Sequence, residues 1–209
     1  MPTEKSKVTA QNIIDAGTSL FTQKGFYNVS IKEIAAKAGS NSALISYYFG
    51  GKQELYQEIL KRQAADINTL QKTVSASGKT ALEELYNYIL GIKMMQAKNK
   101  QQANLLYREI LFPTGLCSTM VNEQLTTIHL FTVDLVKKAI KEKSLKPSTD
   151  PAYTAFILEG ITVLTFLARK QLNLLGSAGQ NETDVIQKVV TYYFSSLLTG
   201  KEAINHANV

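Results

Sequence analysis

Apolar residues recur along most of this chain at spacings of three and four, the spacing of a helical face. Ile13, Ile14, Gly17, Leu20 and Phe21 form the first such stripe. Thr9 is placed to cap its start and Gly25 to follow its end. Gly17 within it costs about 1 kcal/mol against alanine and suits close packing. A second, short helix is marked by Ser30-Ile31-Lys32-Glu33, a capping box with Val29 and Ile34 spaced as a hydrophobic staple. It stops at Gly39, and Ile31, Ile34, Ala35 and Ala38 supply its packing face. A third short helix is predicted over 42–49. Longer ones follow over 52–75, 79–97, 101–112, 116–143, 151–174 and 182–199, the break at Asp150-Pro151 reading as N-cap and first helical residue. No strand pattern or internal repeat interrupts them, so the fold class is all-α with about nine helices.

The third helix is unusual. It lies in GSNSALISYYFGGK, residues 39–52, which carries no charge before Lys52. On a helical wheel Ile45 and Phe49 share an inward face. Ser42, Ala43, Ser46 and Tyr47 fall opposite, with Tyr48 at the edge. Two short helices meeting at Gly39-Ser40-Asn41 have the size and punctuation of a helix-turn-helix. Eight residues at 1.5 Å each span roughly 12 Å, about the width of the DNA major groove. Small residues allow close approach there, serine and asparagine offer neutral donors and acceptors, and tyrosine hydroxyls reach phosphates. A short polar helix is also a common connector. Lys52 sits where a cation opposes the helix dipole, which a phosphate contact would explain and an exposed, solvated lysine would not need.

Residues 9–55 resemble the DNA-binding domain of TetR-family transcriptional regulators, through IIDAGTSLFTQKGF, SIKEIAAKAG and ALISYYFGGKQELY. The family pattern has an Ile-Ala pair in its second helix, an Ala-Gly turn, and a short recognition helix ending in aromatic-Phe. A lysine and a leucine follow at fixed spacing, here Lys52 and Leu55. This chain departs at Ser40, usually valine, at Asn41, usually serine, and at Ser46, often tyrosine. The resemblance implies a three-helix helix-turn-helix DNA-binding domain at 1–55, with helix 52–75 linking it to a larger helical ligand-binding and dimerisation domain at 56–209. It implies DNA contacts at Ser42, Ala43, Leu44, Ser46, Tyr47, Tyr48 and Lys52. Asn41 caps the recognition helix among them, and Ser30 and Lys32 lie at the start of the second helix as backbone or base contacts. It further implies a homodimer built from helices 151–174 and 182–199, a pseudo-palindromic double-stranded operator, and a small-molecule effector. Repression is the family default. A ligand-independent or activating regulator is the alternative.

Composition narrows the rest. The 209-residue chain is 44% hydrophobic and carries a net charge of +6, which permits a polyanionic partner without specifying one. The excess is spread: residues 1–66 hold 8 basic and 6 acidic residues, and residues 67–209 hold 15 and 11. The basic cluster at 137–146 reads as a solvated helix end. One cysteine, Cys117, excludes an intrachain disulfide and fits a reducing, cytoplasmic setting. The first residues carry no apolar run of signal-peptide type. The most apolar stretch, 155–168, is short and contains Glu159, so no membrane span is expected. No phosphate-binding or nucleophile-elbow motif occurs, and two histidines with one cysteine form no metal set. The chain therefore reads as no enzyme, with no catalytic residues, no metal and no cofactor.

The aromatic and methionine residues of the larger part suit a core that also admits an apolar ligand. Tyr88, Met95, Tyr107, Arg108, Glu109, Phe131 and Glu159 are the candidate effector contacts. Glu159 stands in an otherwise uncharged run from 151 to 167. An unpaired buried carboxylate is expensive, so it needs a partner, an interface or a ligand. Arg108 is the natural partner for Glu159 or for Glu109.

Overall fold

The computed structural model describes residues 4–168 and 182–199. Among these residues there are nine helices and no strand, with one isolated antiparallel bridge between Leu145 and Leu198. They are α1 (Glu4–Lys24), α2 (Ile31–Lys37), α3 (Ser42–Phe49), α4 (Lys52–Ser75), α5 (Ala81–Lys98), α6 (Lys100–Leu111), α7 (Ser118–Lys141), α8 (Pro151–Leu167) and α9 (Glu182–Leu197). The expected positions 169–174 lie outside the described residues. No described helix is long and apolar enough to cross a membrane.

Helix α1 begins at Glu4, so Thr9 lies inside it and is not its cap. The chain divides into two compact units, residues 1–66 with 99–123, and 67–98 with 124–209. That division differs from 1–55 and 56–209: α6 and the start of α7 belong with the helix-turn-helix, and α4 contributes to both units.

The first unit packs around Ile13, Ile14, Phe21, Ile34, Ile45, Leu55, Tyr56, Ile59 and Leu105. Gly17 lets α4 approach α1: a Cβ there would stand 3.3 Å from side-chain carbons of both Leu55 and Ile59. The charged group at the centre is Glu109, only 2% exposed. Its Oε2 accepts from the Tyr56 hydroxyl at 2.7 Å, and its Oε1 accepts from the Thr114 amide at 3.1 Å and hydroxyl at 2.9 Å. Burial and the adjoining carboxylate push the Tyr56 phenol upward. The same corner is tied again where Tyr27 Oη donates to the Thr114 carbonyl and Gln57 Nε2 donates to that of Leu116. Cys117 is buried beside this network, and burial, with the charge of Glu109, raises its thiol to about 11.

The second unit packs around Leu85, Tyr88, Ile89, Leu135, Val136, Leu158, Val190 and Phe194. Asp150 Oδ1 accepts from the amides of Ala152 and Tyr153, and Pro151 opens α8 as expected. Glu159 is partnered by His129, whose Nδ1 lies 3.2 Å from both carboxylate oxygens. The expected pairing with Arg108 is not made. Burial pushes the Glu159 carboxyl up while His129 pulls it down. Arg108 instead lays its guanidinium against Gly25 in the first unit, where a Cβ would come within 2.7 Å of Nη2.

Tyr56→Phe removes one charge-assisted bond from a buried carboxylate. It is expected to cost about 1.5–3 kcal/mol, read as a lower urea midpoint with an unchanged m-value. An unchanged midpoint would show that the bond contributes nothing net.

Candidate nucleic-acid interface

Helix α2 has seven residues and α3 has eight, too few to persist alone in water. Local capping and a few buried side chains, Ile34 and Ala35 on α2 and Ile45 on α3, hold them. Ser30 Oγ accepts from the Glu33 amide at 3.2 Å while Glu33 Oε2 accepts from the Ser30 amide at 2.8 Å, so the capping box is complete. Lys24 adds an ion pair to Glu33 at 2.7 Å. Asn41 Oδ1 accepts from the Ala43 amide at 2.9 Å, and α3 ends at Gly50 with φ of +92°. Within α3, Ile45 is fully buried, and Leu44, Tyr48 and Phe49 pack partly against the first core.

The opposite face is open. Ala43, Ser46 and Tyr47 are exposed, Tyr47 at 78%, and Ser42 is half-buried. Ser30, Lys32 and Asn41 are exposed as well. Leu44 divides its surface between the core and the outside. Tyr48 is half-buried, stacks edge-on against Tyr47 at 5.1 Å and accepts a hydrogen bond from Ser6 Oγ at 3.0 Å. Ser40 Oγ is buried without a hydrogen-bond partner, a cost of about 1–3 kcal/mol at the position where the resembling family usually has valine.

Lys52 has work inside the protein. Its Nζ donates to the carbonyls of Phe26 and Val29 at 3.1 and 2.9 Å and stands 4.3 Å from the centre of the Phe26 ring. An ammonium has three donors, so these two carbonyls do not exhaust it. This lysine pins the loop between α1 and α2 to the start of α4, a third reason for its placement that sequence spacing did not suggest.

The candidate effector residues do not form one set. Tyr107, Arg108 and Glu109 belong to the first unit, and Tyr88, Met95, Phe131 and Glu159 to the second. Glu109 is consumed by Tyr56 and Thr114. In the second unit Tyr88 and Phe131 make an edge-on pair at 4.8 Å, and Gln71 Nε2 donates to Tyr88 Oη at 3.2 Å. Burial raises the Tyr88 phenol to about 12, and the charge of Glu159 acts in the same direction. Met95 is half-buried. Sequence reasoning missed Lys93, 2% exposed, with Nζ 3.4 Å from Thr165 Oγ1 and 5.9 Å from the Phe166 ring centre. Its one legible sign was a lysine on the apolar side of a helix. Among the described residues no group of three or more His, Cys, Asp or Glu is placed to hold a metal.

Two short capped helices presenting a neutral outer face define a helix-turn-helix regulator fold. Residues 13–59 match the family described as bacterial regulatory proteins, tetR family. It is 32% identical over 123 residues to the "Probable HTH-type transcriptional regulator YttP" of Bacillus subtilis (strain 168), covering 57% of this chain and 56% of that protein. It is 33% identical over 99 residues to the "HTH-type transcriptional repressor NicS" of Pseudomonas putida, covering 43% and 47%. The match thus spans about half the length of these curated relatives. The whole fold resembles a gamma-butyrolactone receptor (TM-score 0.81, 18% identity, 98% of this chain and 95% of that one). It also resembles the TetR family protein CprB from S. coelicolor A3(2) (TM-score 0.77, 16% identity, 96% and 94%).

The Glu33 carboxyl is held down to about 2, chiefly by its bond to Lys24 and then by the Ser30 amide. A depressed folded-state pKa contributes stability that is present above the unfolded value, 4.5, and is lost as pH falls toward 2. Glu33→Gln should therefore flatten part of the stability loss in that acid window, followed by urea unfolding at stepped pH. A parallel loss in both proteins would contradict the assignment.

Proposed function

We infer that the chain is a sequence-specific DNA-binding transcription regulator, acting as a homodimeric repressor on a pseudo-palindromic operator. The observation that carries this is the outer face of α3. A short helix costs stability to hold out, and its exposed residues are small, neutral and hydrogen-bonding, where a solvated helix would carry charge. Ser42, Ala43, Ser46 and Tyr47 suit base edges and phosphates in a major groove. Lys32 and the remaining donor of Lys52 suit the backbone, with Ser30 and Tyr48 beside them.

A second copy is supported by α8. Tyr153, Phe156 and Leu164 are exposed at 73, 69 and 65%, and Ile157 at 40%. Together they form one uncovered apolar row at spacings of three, four and seven. Tyr192 on α9 is 83% exposed. Rows of this kind mark interaction sites. Phe156 and Leu164, both exposed, are the residues to probe. A two-fold pair of α3 helices reads half-sites about one helical turn apart or more.

Release by a small, largely apolar effector completes the reading. The second unit supports it with an apolar interior carrying a few polar groups, Tyr88, Lys93 and the His129–Glu159 pair. The effector must bind the non-DNA-binding arrangement better, because equal affinity for both shifts nothing.

Tyr47→Ala should weaken binding in a mobility shift with a duplex selected by the wild-type protein. Phe156→Lys should yield monomers in light scattering and lose that binding. Folded variants that bind as the wild type does would refute the interface and the dimer in turn. Apolar compounds that raise thermal stability should weaken duplex binding by about 5- to 150-fold, the usual coupling of 1–3 kcal/mol. Stabilising compounds that leave affinity unchanged would remove the effector from the reading.

A further inference from the structure

Helices α5 and α9 pack together within the second unit, and a groove of about 560 Å³ remains between α9 and the first turns of α5. Small-molecule sites run from roughly 300 to 1,000 Å³. Each wall is one helical face. Leu82, Tyr86 and Asn87 line it from α5, and Gln187, Thr191, Phe194 and Leu198 line it from α9, all at helical spacings. The α9 wall is anchored at its end. Lys146 donates to the Leu197 carbonyl through its amide at 2.9 Å and to the Ser196 carbonyl through Nζ at 2.7 Å, beside the Leu145–Leu198 bridge.

The floor is apolar, with Leu82, Phe194 and Leu198 all buried. Above it Tyr86, Asn87, Gln187 and Thr191 are half-buried. Among the described residues these four side chains have no hydrogen-bond partner. Polar groups elsewhere in the unit are paired, Gln71 with Tyr88 and His129 with Glu159. An apolar floor under a few convergent donors and acceptors is the make-up of a ligand site.

The charges around the groove do not favour an anion. The amides that open α5 are taken, that of Thr80 by Glu83 Oε2 at 3.0 Å and that of Ala81 by Glu142 Oε2 at 2.9 Å. Lys79 and Glu83, both exposed at the rim, are opposite in sign. What remains to recognise a ligand is neutral: two carboxamides and two hydroxyls, each able to donate and accept.

We propose that the α5–α9 groove binds a neutral amphipathic small molecule, its carbonyl or amide edge meeting Tyr86, Asn87, Gln187 and Thr191 and its apolar body covering Leu82, Phe194 and Leu198. The site is separate from the interior around Tyr88 and does not depend on the DNA-binding reading of α3.

The test uses a series of primary amides, from 4-phenylbutanamide to decanamide, and the matching carboxylates, titrated on the full chain by saturation-transfer NMR. At least one amide should bind saturably, and more tightly than its carboxylate. Thr191→Phe fills the groove and should abolish that binding. Asn87→Ala should raise Kd about tenfold, the loss of one hydrogen bond. Circular dichroism confirms that each variant is folded, and Asn87→Ala alone decides if the larger substitution unfolds the chain. No saturable binding by any amide overturns the site, as does binding that folded variants leave unchanged. Carboxylates that bind as tightly as the amides overturn the neutral ligand class.

Discussion

An eight-residue helix cannot hold itself, and the candidate interface depends on solving that problem without spending its outer face. Ile45 is the one fully buried side chain of α3. Asn41 closes one end, Gly50 the other, and the partly buried Leu44, Tyr48 and Phe49 brace the flanks. Every stabilising contact comes from the inner face, the edges or the termini. Ala43, Ser46 and Tyr47 are left exposed on the outer face, Tyr47 resting edge-on against Tyr48. A charged outer face would have made α3 a better-solvated helix.

Beneath it, the first unit is organised around a buried carboxylate. Glu109 binds Tyr56 of α4 and Thr114 of the α6–α7 corner. Tyr27 and Gln57 grip the same corner through its carbonyls. Removing one partner of such a group leaves a desolvated charge and costs more than the bond itself contributes. The corner is therefore part of the helix-turn-helix unit, although it lies far along the chain from α3.

What the sequence made legible was local. The bounds of α3, the Asn41 cap, the Ser30–Glu33 box and the Asp150-Pro151 start all depend on residues within a few positions of one another, and all are present. The exposed face of α3 followed from its period alone. What stayed hidden depends on distant pairs. Ser6 near the start of α1 bonds Tyr48, the partner of Glu159 is His129 on another helix, and Lys52 serves two carbonyls more than twenty residues upstream. The resemblance located a helix-turn-helix at 1–55. It did not indicate that α6 packs with it, because no motif marks a helix whose role is to supply Glu109 and Leu105.

Cys117 turns this architecture into an experimental convenience. Its thiol is 3% exposed and raised to about 11, so the protonated thiol prevails there at neutral pH. The thiolate is the reactive form, and the core also shuts out reagent. Maleimides and spin labels should therefore pass over the native cysteine. A cysteine introduced on an exposed helix face would be the site that reacts, and probes could be attached to the otherwise native chain.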